Sequence, residues 1–277
     1  MQPPTDFPPL TNEAVQALLK TKTFGRKLHI FSTTTSTNTE AMALAQQDAQ
    51  DGTVVVAEEQ TSGKGRLGRH WHSPPGDNLY CSVILRRTPS PEELPHWLPI
   101  VPLMAAVAVA RAVQTVAGLR PSLKWPNDIL IGDRKLGGLL CESTLGDPAK
   151  TFVVIGIGVN VNIPPERFPE ELRRIATSLA AETGRKFDRA TLLAALLSEL
   201  EIHAEALLTR PPETFLSGYA RLCSTLGRRV RVHLADGDTV EGLADSIAPD
   251  GSLRIIREGP QSGGLLEVHA GDVIHLR

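Results

Sequence analysis

The sequence predicts an α+β protein in which a mixed β-sheet is backed by helices and followed by a small C-terminal β-barrel. Two observations carry this prediction. Before about residue 224, β-branched strand segments are interspersed with apolar or amphipathic helical segments, as in a sheet covered by helices. After Gly227, short alternating strands are separated by Asp-Gly and Gly-Gly turns, which is typical of a small barrel. We therefore expect two domains, residues 1–224 and 225–277.

The predicted elements follow from local patterns along the chain. Thr37 and Glu40 match a capping box, in which a hydroxyl and a carboxylate bind the free backbone N–H groups at a helix start. We predict helices over residues 11–20, behind Thr37, over about 99–117 and through 170–222. We predict strands over residues 28–32, 53–58, 78–85, 122–124, 138–143 and 152–161. The barrel strands are predicted at 229–234, 239–247, 252–257, 265–268 and 273–276.

Composition describes an ordinary globular protein. The chain has 277 residues, of which 41% are hydrophobic and 22% charged, with no internal repeat or low-complexity segment. The formal net charge of −2 gives no general attraction to nucleic acid or to an anionic membrane. Any anion-binding site must therefore be local.

Cysteine usage and the apolar segments indicate a reducing compartment. Cys81, Cys141 and Cys223 are odd in number and show no C-x-x-C spacing, which predicts buried thiols rather than disulfides or zinc ligands. The Pro-rich start lacks the basic and apolar regions of a signal peptide. The longest apolar stretch, residues 100–113, is shorter than a bilayer span requires. We expect a cytoplasmic protein that does not enter a membrane.

The segment S-G-K-G-R-L-G-R-H-W, residues 62–71, is the densest chemical signal. Its glycines spell G-x-G-x-x-G, but a strand rather than a helix is predicted to follow, so a dinucleotide-binding interpretation fails. Lys64, Arg66 and Arg69 on a glycine-rich backbone can bring several cations and N–H groups onto one anion. A solvated basic loop would explain the charges but not the alternating glycines and the tryptophan. We therefore favour an anion site in loop 61–77.

The motif K-W-P-N-D, which begins at Lys124, is the second signal. A lone lysine at a strand end usually only extends to water. Here it precedes a proline turn whose Asn127 and Asp128 supply an amide and a carboxylate, a set that can hold phosphate, ribose and hydrated Mg²⁺. Two glycine-containing segments, K-L-G-G at 135–138 and G-I-G-V-N at 156–160, are weak alone and gain value from their order.

This ordered set of motifs closely resembles the biotin protein ligases. The family shares a Ser-Thr-Asn turn, G-R-G-R-x-G-R-x-W, K-W-P-N-D, K-[LI]-[AG]-G-[IL]-L-x-E, G-[IL]-G-x-N and an SH3-like C-terminal domain. Here the motifs are Ser36-Thr37-Asn38, GKGRLGRHW, KWPND, KLGGLLCE and GIGVN, so the resemblance covers residues 28–277. It implies a biotin-lipoate ligase catalytic domain, similar to class II aminoacyl-tRNA synthetases, followed by an SH3-like barrel.

The resemblance implies an ATP-dependent biotin–[biotin carboxyl-carrier protein] ligase. Such an enzyme converts biotin and ATP to biotinyl-5′-AMP and diphosphate with Mg²⁺, and then transfers biotin to a lysine. The implied acceptor is the biotin carboxyl carrier protein of acetyl-CoA carboxylase. Activation is needed because a carboxylate does not acylate an amine at neutral pH. Both steps gather negative charge on oxygen, which positioned cations stabilise.

The resemblance also assigns roles to residues. Lys124 would bridge the biotin carboxylate and the α-phosphate, with Arg66 as the second catalytic residue and Leu139 and Leu140 as an apolar wall. Trp71 either stacks near adenine or only anchors the loop. The implied biotin-binding residues are Ser36, Thr37, Asn38, Gln60, Lys64, Gly65, Arg66, Lys124 and Gly138. The implied nucleotide-binding residues are Arg69, Trp71, Asn127, Asp128, Lys135 and Asn160, and Asp128 is also the candidate Mg²⁺ ligand.

Two departures from the family pattern matter. Lys64 stands where the family usually has arginine, which replaces a planar fork by a point charge. Only 27 residues precede the first predicted strand. A winged helix-turn-helix needs about twice that length, so we expect neither DNA binding nor repressor function.

Two rival functions stay open. A lipoate or octanoate ligase or transferase shares the fold and a carrier-lysine target, but loop 61–77 together with K-W-P-N-D favours biotin. A non-enzymatic biotin sensor or repressor belongs to another class, and the presence of Lys124 speaks against it. Family members also pair through sheet edges, which leaves a homodimer open.

Overall fold

The computed structural model describes residues 9–86, 94–144, 151–234, 237–257 and 264–276. Its helices are α1 (Asn12–Leu18), α2 (Thr37–Gln46), α3 (Leu94–Trp97), α4 (Val101–Ala117), α5 (Leu179–Thr183), α6 (Arg189–Thr209) and α7 (Pro212–Leu222). The strands of a first sheet are β1 (Leu28–Thr34), β2 (Val54–Gln60), β3 (Leu79–Leu85), β4 (Ser122–Lys124), β5 (Asp128–Ile131), β6 (Arg134–Ser143) and β7 (Val153–Val159). A second sheet contains β8 (Arg229–His233), β9 (Thr239–Ile247), β10 (Leu253–Arg257), β11 (Leu265–Val268) and β12 (Asp272–His275).

The first sheet is mixed and is covered by helices on both faces. Its strand order is β1-β2-β3-β7-β6-β5-β4, with β1 and β2 parallel and the other neighbours antiparallel. Alternate residues of β2 point to different cores, as the period of a strand requires. Val54 and Val56 join the large core that contains α4 and α6, whereas Val55 packs with Ala41 and Ala45 of α2. The predicted α+β class with a mixed sheet backed by helices is confirmed.

Helix α4 is the apolar centre of the protein. It packs against α6 on one side and against β4, β5 and β6 on the other, and it ends at Gly118, whose φ of 71° places it in the left-handed region. Together with the preceding turn it forms a 20-residue helical segment, Leu98–Ala117, that is long and apolar enough to cross a membrane. The expectation that the apolar stretch is too short was therefore wrong. However, 72% of its most apolar window is buried inside the protein, as in a core helix.

The second sheet is antiparallel throughout, in the order β11-β10-β9-β8-β12. Its strands coincide with the predicted segments to within about one residue at most ends, because Asp-Gly and Gly-Gly turns bound them closely. Val230, Val232, Ala244 and Ile255 point inward and are fully buried. This arrangement agrees with the predicted small SH3-like domain.

Two segments of the first sheet region differ from their prediction. Residues 128–131 form β5 between β4 and β6, although the sequence indicated only turns around them. Residues 170–178, predicted as helix, are turns followed by extended chain. There the backbone pairs with the start of β6, before that strand meets β7: the Lys135 N–H donates to the Ile175 carbonyl at 2.7 Å, and the Thr177 N–H donates to the Lys135 carbonyl at 2.9 Å.

Candidate active site

A cavity of about 660 Å³ lies between α2, loop 61–77, the β6–β7 pair and the second sheet. Its walls include every residue that the sequence proposed for the site. From the first half of the chain these are Ser36, Thr37, Asn38, Gln60, Lys64, Gly65, Arg66, Arg69 and Trp71; from the second half they are Lys124, Asn127, Asp128, Lys135, Gly138 and Asn160. The structure thus brings all of them around one space, while their roles toward ligands stay predictions.

Buried polar side chains form a hydrogen-bonded row at one end of the cavity. Gln60 accepts a hydrogen bond from the Thr37 N–H through Oε1 at 2.9 Å and donates from Nε2 to the Ser73 hydroxyl at 2.9 Å. The Ser82 hydroxyl lies 2.8 Å from the Thr37 hydroxyl and 2.6 Å from Asn38 Oδ1. Because buried polar groups are costly when unpaired, these contacts hold each side chain in one orientation.

The capping box predicted at Thr37 and Glu40 is wrong. Helix α2 begins at Thr37 with Ser36 as its N-cap, and no side chain accepts the cap hydrogen bond. The Thr37 hydroxyl contacts Gln60 instead, and Glu40 accepts a hydrogen bond from the Thr34 hydroxyl at 2.7 Å. The polar side chains at the start of α2 therefore bind Gln60 beside the cavity and Thr34 of β1, and they do not cap the helix.

The two glycines of G-I-G-V-N clear the floor of the cavity for two different side chains. A Cβ on Gly156 would lie 2.1 Å from Asn38 Oδ1, and a Cβ on Gly158 would lie 2.6 Å from the indole ring of Trp71. Gly138 is the direct cross-strand partner of Gly158, and a Cβ there would lie 3.3 Å from the same indole. Trp71 therefore rests on the sheet, which is the anchoring contact that the sequence left open.

Loop 61–77 is closed on itself by backbone hydrogen bonds. The Gly65 N–H donates to the Arg69 carbonyl at 2.7 Å, and the Trp71 N–H donates to the Gly63 carbonyl at 2.8 Å. At the tip, Leu67 has a φ of 56°, an uncommon conformation for a side chain of its size, and it is 63% exposed. The loop thus presents its cations from a short, tight turn.

Arg66 points from this turn into the cavity. Its guanidinium donates to Asn127 Oδ1 at 3.2 Å and to the Gly271 carbonyl at 3.3 Å. Burial lowers the pKa of Arg66 from its usual value, although the negative charges of Asp128 and Asp272 act to raise it. The guanidinium still remains a cation. Arg66 thereby links the loop to both the K-W-P-N-D turn and the second sheet.

Arg69 reaches the second sheet by an ion pair with Asp272. Partial burial acts to raise the pKa of Asp272, but the hydrogen bond and charge of Arg69, helped by Lys124, hold it below its ordinary value. Because Arg69 is largely exposed, the pair stabilises the fold only slightly and mainly orients the loop.

Lys124 stands at the end of β4, directly before a buried turn. Trp125 is 2% exposed; its backbone N–H donates to the Thr225 hydroxyl at 3.1 Å and its indole N–H to the Gly251 carbonyl at 3.0 Å. The Trp125–Pro126 peptide bond is cis. Among the described residues, no carboxylate lies within ion-pair distance of the Lys124 ammonium. A fixed backbone therefore aims at the cavity a cation that makes no direct ion pair with a carboxylate of the described residues.

The remaining predicted residues gather at the opposite end. Lys135 pairs with Asp128, with 2.6 Å between Nζ and Oδ1, and its ammonium lies 5.4 Å from the centre of the Trp71 ring. Asn160 is buried and donates from its amide to the Thr177 carbonyl at 3.0 Å. This end of the cavity is therefore bordered by the Trp71 ring, the Lys135–Asp128 ion pair and the Asn160 amide.

Sequence reasoning missed two groups of cavity residues. The first comes from the second sheet and includes Asp272 and His275; the second is apolar and includes Phe168, Leu172 and Ile175. Asp272 contacts a residue 203 positions earlier in the chain, and Leu172 and Ile175 lie where a helix was predicted. No local motif marks either group, so only the folded chain reveals them.

The cysteines and histidines carry no metal site in the part of the chain that the structure describes, where no cluster of three or more potential ligands occurs. Burial raises the pKa of both Cys81 and Cys141 to about 12, so these thiols stay protonated. Of the two histidines in loop 61–77, His70 is exposed, whereas His72 is half-buried, and this burial lowers the pKa of His72.

Comparison with known proteins places this geometry in a family. Residues 30–160 match the biotin/lipoate A/B protein ligase family. The chain is 35% identical to the bifunctional ligase/repressor BirA of Bacillus subtilis, over 95% of this chain and 78% of that protein. It is also 35% identical to a biotin–[acetyl-CoA-carboxylase] ligase of Mycobacterium tuberculosis, over 100% of this chain and 98% of the relative. The chain belongs to the biotin protein ligase family.

Solved structures of biotin protein ligases share the fold described above. The Aquifex aeolicus ligase in complex with biotin and ATP superimposes with a TM-score of 0.75, at 28% identity, over 91% of this chain and 99% of that one. The Leishmania major ligase in complex with biotinyl-5-AMP gives a TM-score of 0.60, at 28% identity, over 88% of this chain and 99% of that one. The biotin protein ligase fold therefore accommodates both the substrates and the adenylate.

Proposed function

We propose that the protein activates biotin with ATP to biotinyl-5′-AMP and transfers the biotin to a lysine of the carrier domain of acetyl-CoA carboxylase. One observation carries the proposal: Lys124, the loop cations and the buried polar row all border a single cavity. The named activities of the relatives support the same function, and none of the comparisons quoted above favours a lipoate ligase over a biotin ligase.

The polar row is suited to the ureido ring of biotin. Its members Thr37, Asn38 and Gln60, together with the neighbouring Ser36, offer buried hydroxyl and amide groups at the end of the cavity closed by α2. The apolar part of the ligand needs an apolar wall with few polar anchors, which Leu139 and Leu140 supply. The carboxylate of biotin then points toward Lys124.

In the first step, a carboxylate oxygen of biotin attacks the α-phosphorus of ATP, and diphosphate leaves. The two anions repel each other as they approach, so the reaction needs cations at their junction. Lys124, with no carboxylate partner among the described residues, and Arg66, held by Asn127, both face this junction. Their fixed charges stabilise the transition state without reorganising at the moment of reaction.

The nucleotide is proposed to occupy the other end of the cavity. Asn127, Asp128, Lys135 and Asn160 would contact ribose and phosphates, with Arg69 at the rim. The indole of Trp71 and the apolar residues Phe168, Leu172 and Ile175 provide surface for the adenine ring.

Asp128 fits the proposed metal requirement. Mg²⁺ commonly binds one or two carboxylates together with substrate phosphates and water, and Asp128 supplies one such carboxylate next to Lys135. When bound, Mg²⁺ would neutralise phosphate charge. The Lys135 ammonium holds Asp128 in place beside the cavity.

In the second step, the neutral amine of the carrier lysine attacks the carbonyl carbon of the mixed anhydride, and AMP leaves. Water is a competing nucleophile, so the adenylate must be covered until the carrier arrives. Loop 61–77, with Lys64 and Gly65 beside Arg66, is proposed as that cover. Its tethers at Asn127 and Gly271 keep it over the cavity.

Several accompanying proposals follow from the family. We propose residues 1–224 as the catalytic domain and 225–277 as the SH3-like domain, which is consistent with two sheets that share no strand. The chain is proposed to act in the cytoplasm, without membrane insertion. A homodimer through a sheet edge remains a prediction.

The direct test is transfer of labelled biotin. The protein is incubated with MgATP and a biotinyl carrier domain, in parallel with labelled lipoate and with a carrier whose acceptor lysine is replaced by arginine. We expect labelling of the intact carrier with biotin alone. Labelling with lipoate instead of biotin would assign the rival ligase activity, and no labelling with either acid would reject both.

A further inference from the structure

The Asn38 amide is held by groups that fix which of its atoms can reach a ligand. Its Nδ2 donates to the Leu140 carbonyl at 3.1 Å and to Glu142 Oε2 at 2.7 Å. Its Oδ1 accepts from the Ser82 hydroxyl at 2.6 Å. Both N–H groups of the amide are therefore used by the protein, and only the oxygen has a lone pair left for the cavity.

The opposite orientation of this amide is electrostatically excluded. It would place the Asn38 oxygen against the Leu140 carbonyl and the Glu142 carboxylate, which are both acceptors. Ser82 does not decide the orientation, because a hydroxyl donates to an oxygen and accepts from an N–H equally well. Among the side chains that contact the amide, Glu142 alone enforces its polarity.

The Gln60 amide is held in the opposite way, so that an N–H donor rather than its oxygen is left for a ligand. Its Oε1 is used by the Thr37 N–H at 2.9 Å, and one N–H of its Nε2 is used by the Ser73 hydroxyl at 2.9 Å. The second N–H of Gln60 is the group this amide can still offer. The two amides thus present one donor and one acceptor, which matches a cyclic urea with its carbonyl and its ring N–H.

We propose that Glu142 is a positioning residue that makes the cavity selective for a ring N–H, by holding Asn38 with its oxygen toward the ligand. Glu142 does not line the cavity, whereas Asn38 does. The inference rests on the proposed function, because the ureido ring of biotin is the group recognised. A hydrogen bond to a charged acceptor is strong enough that its loss should change selectivity by about tenfold.

The test compares two side chains of similar size at position 142. Glu142→Met removes the side-chain acceptor and leaves only the Leu140 carbonyl, whereas Glu142→Gln keeps a side-chain acceptor. Calorimetric affinities are measured for biotin and for isosteric cyclic carbamates in which a ring N–H of the ureido group is replaced by oxygen. We expect the wild-type protein and Glu142→Gln to prefer biotin, and Glu142→Met to lose about tenfold of that preference. The affinity for ATP should not change.

Ser82→Ala serves as the matched control on the same amide. It removes a contact to Asn38 but not the polarity, so biotin affinity falls while the preference for urea over carbamate is kept. If Glu142→Met is not folded by its thermal midpoint, Glu142→Asp, which withdraws the carboxylate by one methylene, replaces it with the same expectation. An unchanged preference in the folded variant overturns the inference alone. A wild-type protein that binds no biotin overturns the proposed function as well.

Discussion

At the scale of single residues, the glycines of G-I-G-V-N are explained by the side chains that lie on them. Gly156 makes room for Asn38, and Gly158 makes room for Trp71. The sequence alone suggests only close packing for such glycines. The structure assigns one glycine to each end of the cavity.

Alanine at these two positions should therefore have separate effects. Gly156→Ala is expected to displace the Asn38 amide and weaken biotin binding by at least about tenfold, because a buried hydrogen-bond set is broken. Gly158→Ala is expected to lift Trp71 from the sheet, weaken ATP binding and shift the tryptophan fluorescence. Isothermal titration calorimetry of each variant with biotin and with ATP measures the two affinities separately.

Gly218→Ala in α7 is the control, because a Cβ there meets only the end of the Arg221 side chain at 4.0 Å. It should leave both affinities unchanged and stabilise the fold by about 0.5–1 kcal/mol. Equal losses of biotin and ATP binding in the two cavity variants would contradict the assignment of separate roles.

Residue-scale sequence reasoning located residues that border the cavity where chemistry is concentrated in short motifs. Arg66, Lys124 and Asn160 were found because each lies in such a motif. Asp272 and His275 were not found, because nothing near them in the sequence indicates a site: Arg69, the partner of Asp272, is 203 residues away, and Thr225, beside His275, is 50 residues away.

At the scale of elements, the tip of loop 61–77 is tied to its surroundings by its arginines, whereas the start of the loop is held by backbone hydrogen bonds from Thr61 and Ser62 to residues 34 and 35. Arg66 reaches Asn127 and Gly271, and Arg69 reaches Asp272. The arginines thus hold the tip of the loop, residues 66–69, against the K-W-P-N-D turn and the second sheet.

Arg66→Gly is therefore expected to open the cover over the adenylate. The variant should release biotinyl-5′-AMP, which then labels lysines of bystander proteins. The measurement adds serum albumin as the bystander and detects its biotinylation by blotting. Arg69→Gly removes only an exposed ion pair, so this variant should release less biotinyl-5′-AMP than Arg66→Gly. An Arg66→Gly enzyme that labels only its carrier would argue against the cover.

Element boundaries show where local patterns are reliable. The barrel strands were predicted well because turn dipeptides bound each of them. Strand β5 was missed because its four residues lie between turns and pair only with β4 and β6. Residues 170–178 were mistaken for helix because tertiary hydrogen bonds to Lys135 override the local preference for helix.

At the scale of the whole molecule, the second sheet holds the turn that carries Lys124. Thr225 accepts from the Trp125 N–H, and its hydroxyl lies 3.2 Å from His275 Nε2. Gly251 accepts from the Trp125 indole. The C-terminal sheet is thus part of the support of the active site and not a separate appendage.

His275 should make this support sensitive to acid. Burial, with the charges of Lys124 and Arg228, lowers its pKa from 6.5 to about 4. Below about pH 6.5 the unfolded chain takes up a proton here that the folded protein refuses until about pH 4, so stability is full above this range and falls within it.

We expect the free energy of unfolding of His275→Asn, measured by chemical denaturation, to fall less steeply than that of the wild-type protein between about pH 6.5 and 4. His29→Asn, at an exposed position of β1, is the control and should follow the wild-type slope. Identical slopes for His275→Asn and wild type would contradict the role of His275.

The convergence of Lys124 and Arg66 on one acyl phosphate is tested most directly by isotope exchange between diphosphate and ATP, which requires reversible adenylation and no carrier. We expect exchange in the wild-type protein with biotin present, none without biotin, and a loss of at least about a hundredfold in Lys124→Met, as for the removal of a single stabilising donor. Exchange that proceeds without biotin, or at the wild-type rate in Lys124→Met, would contradict the account.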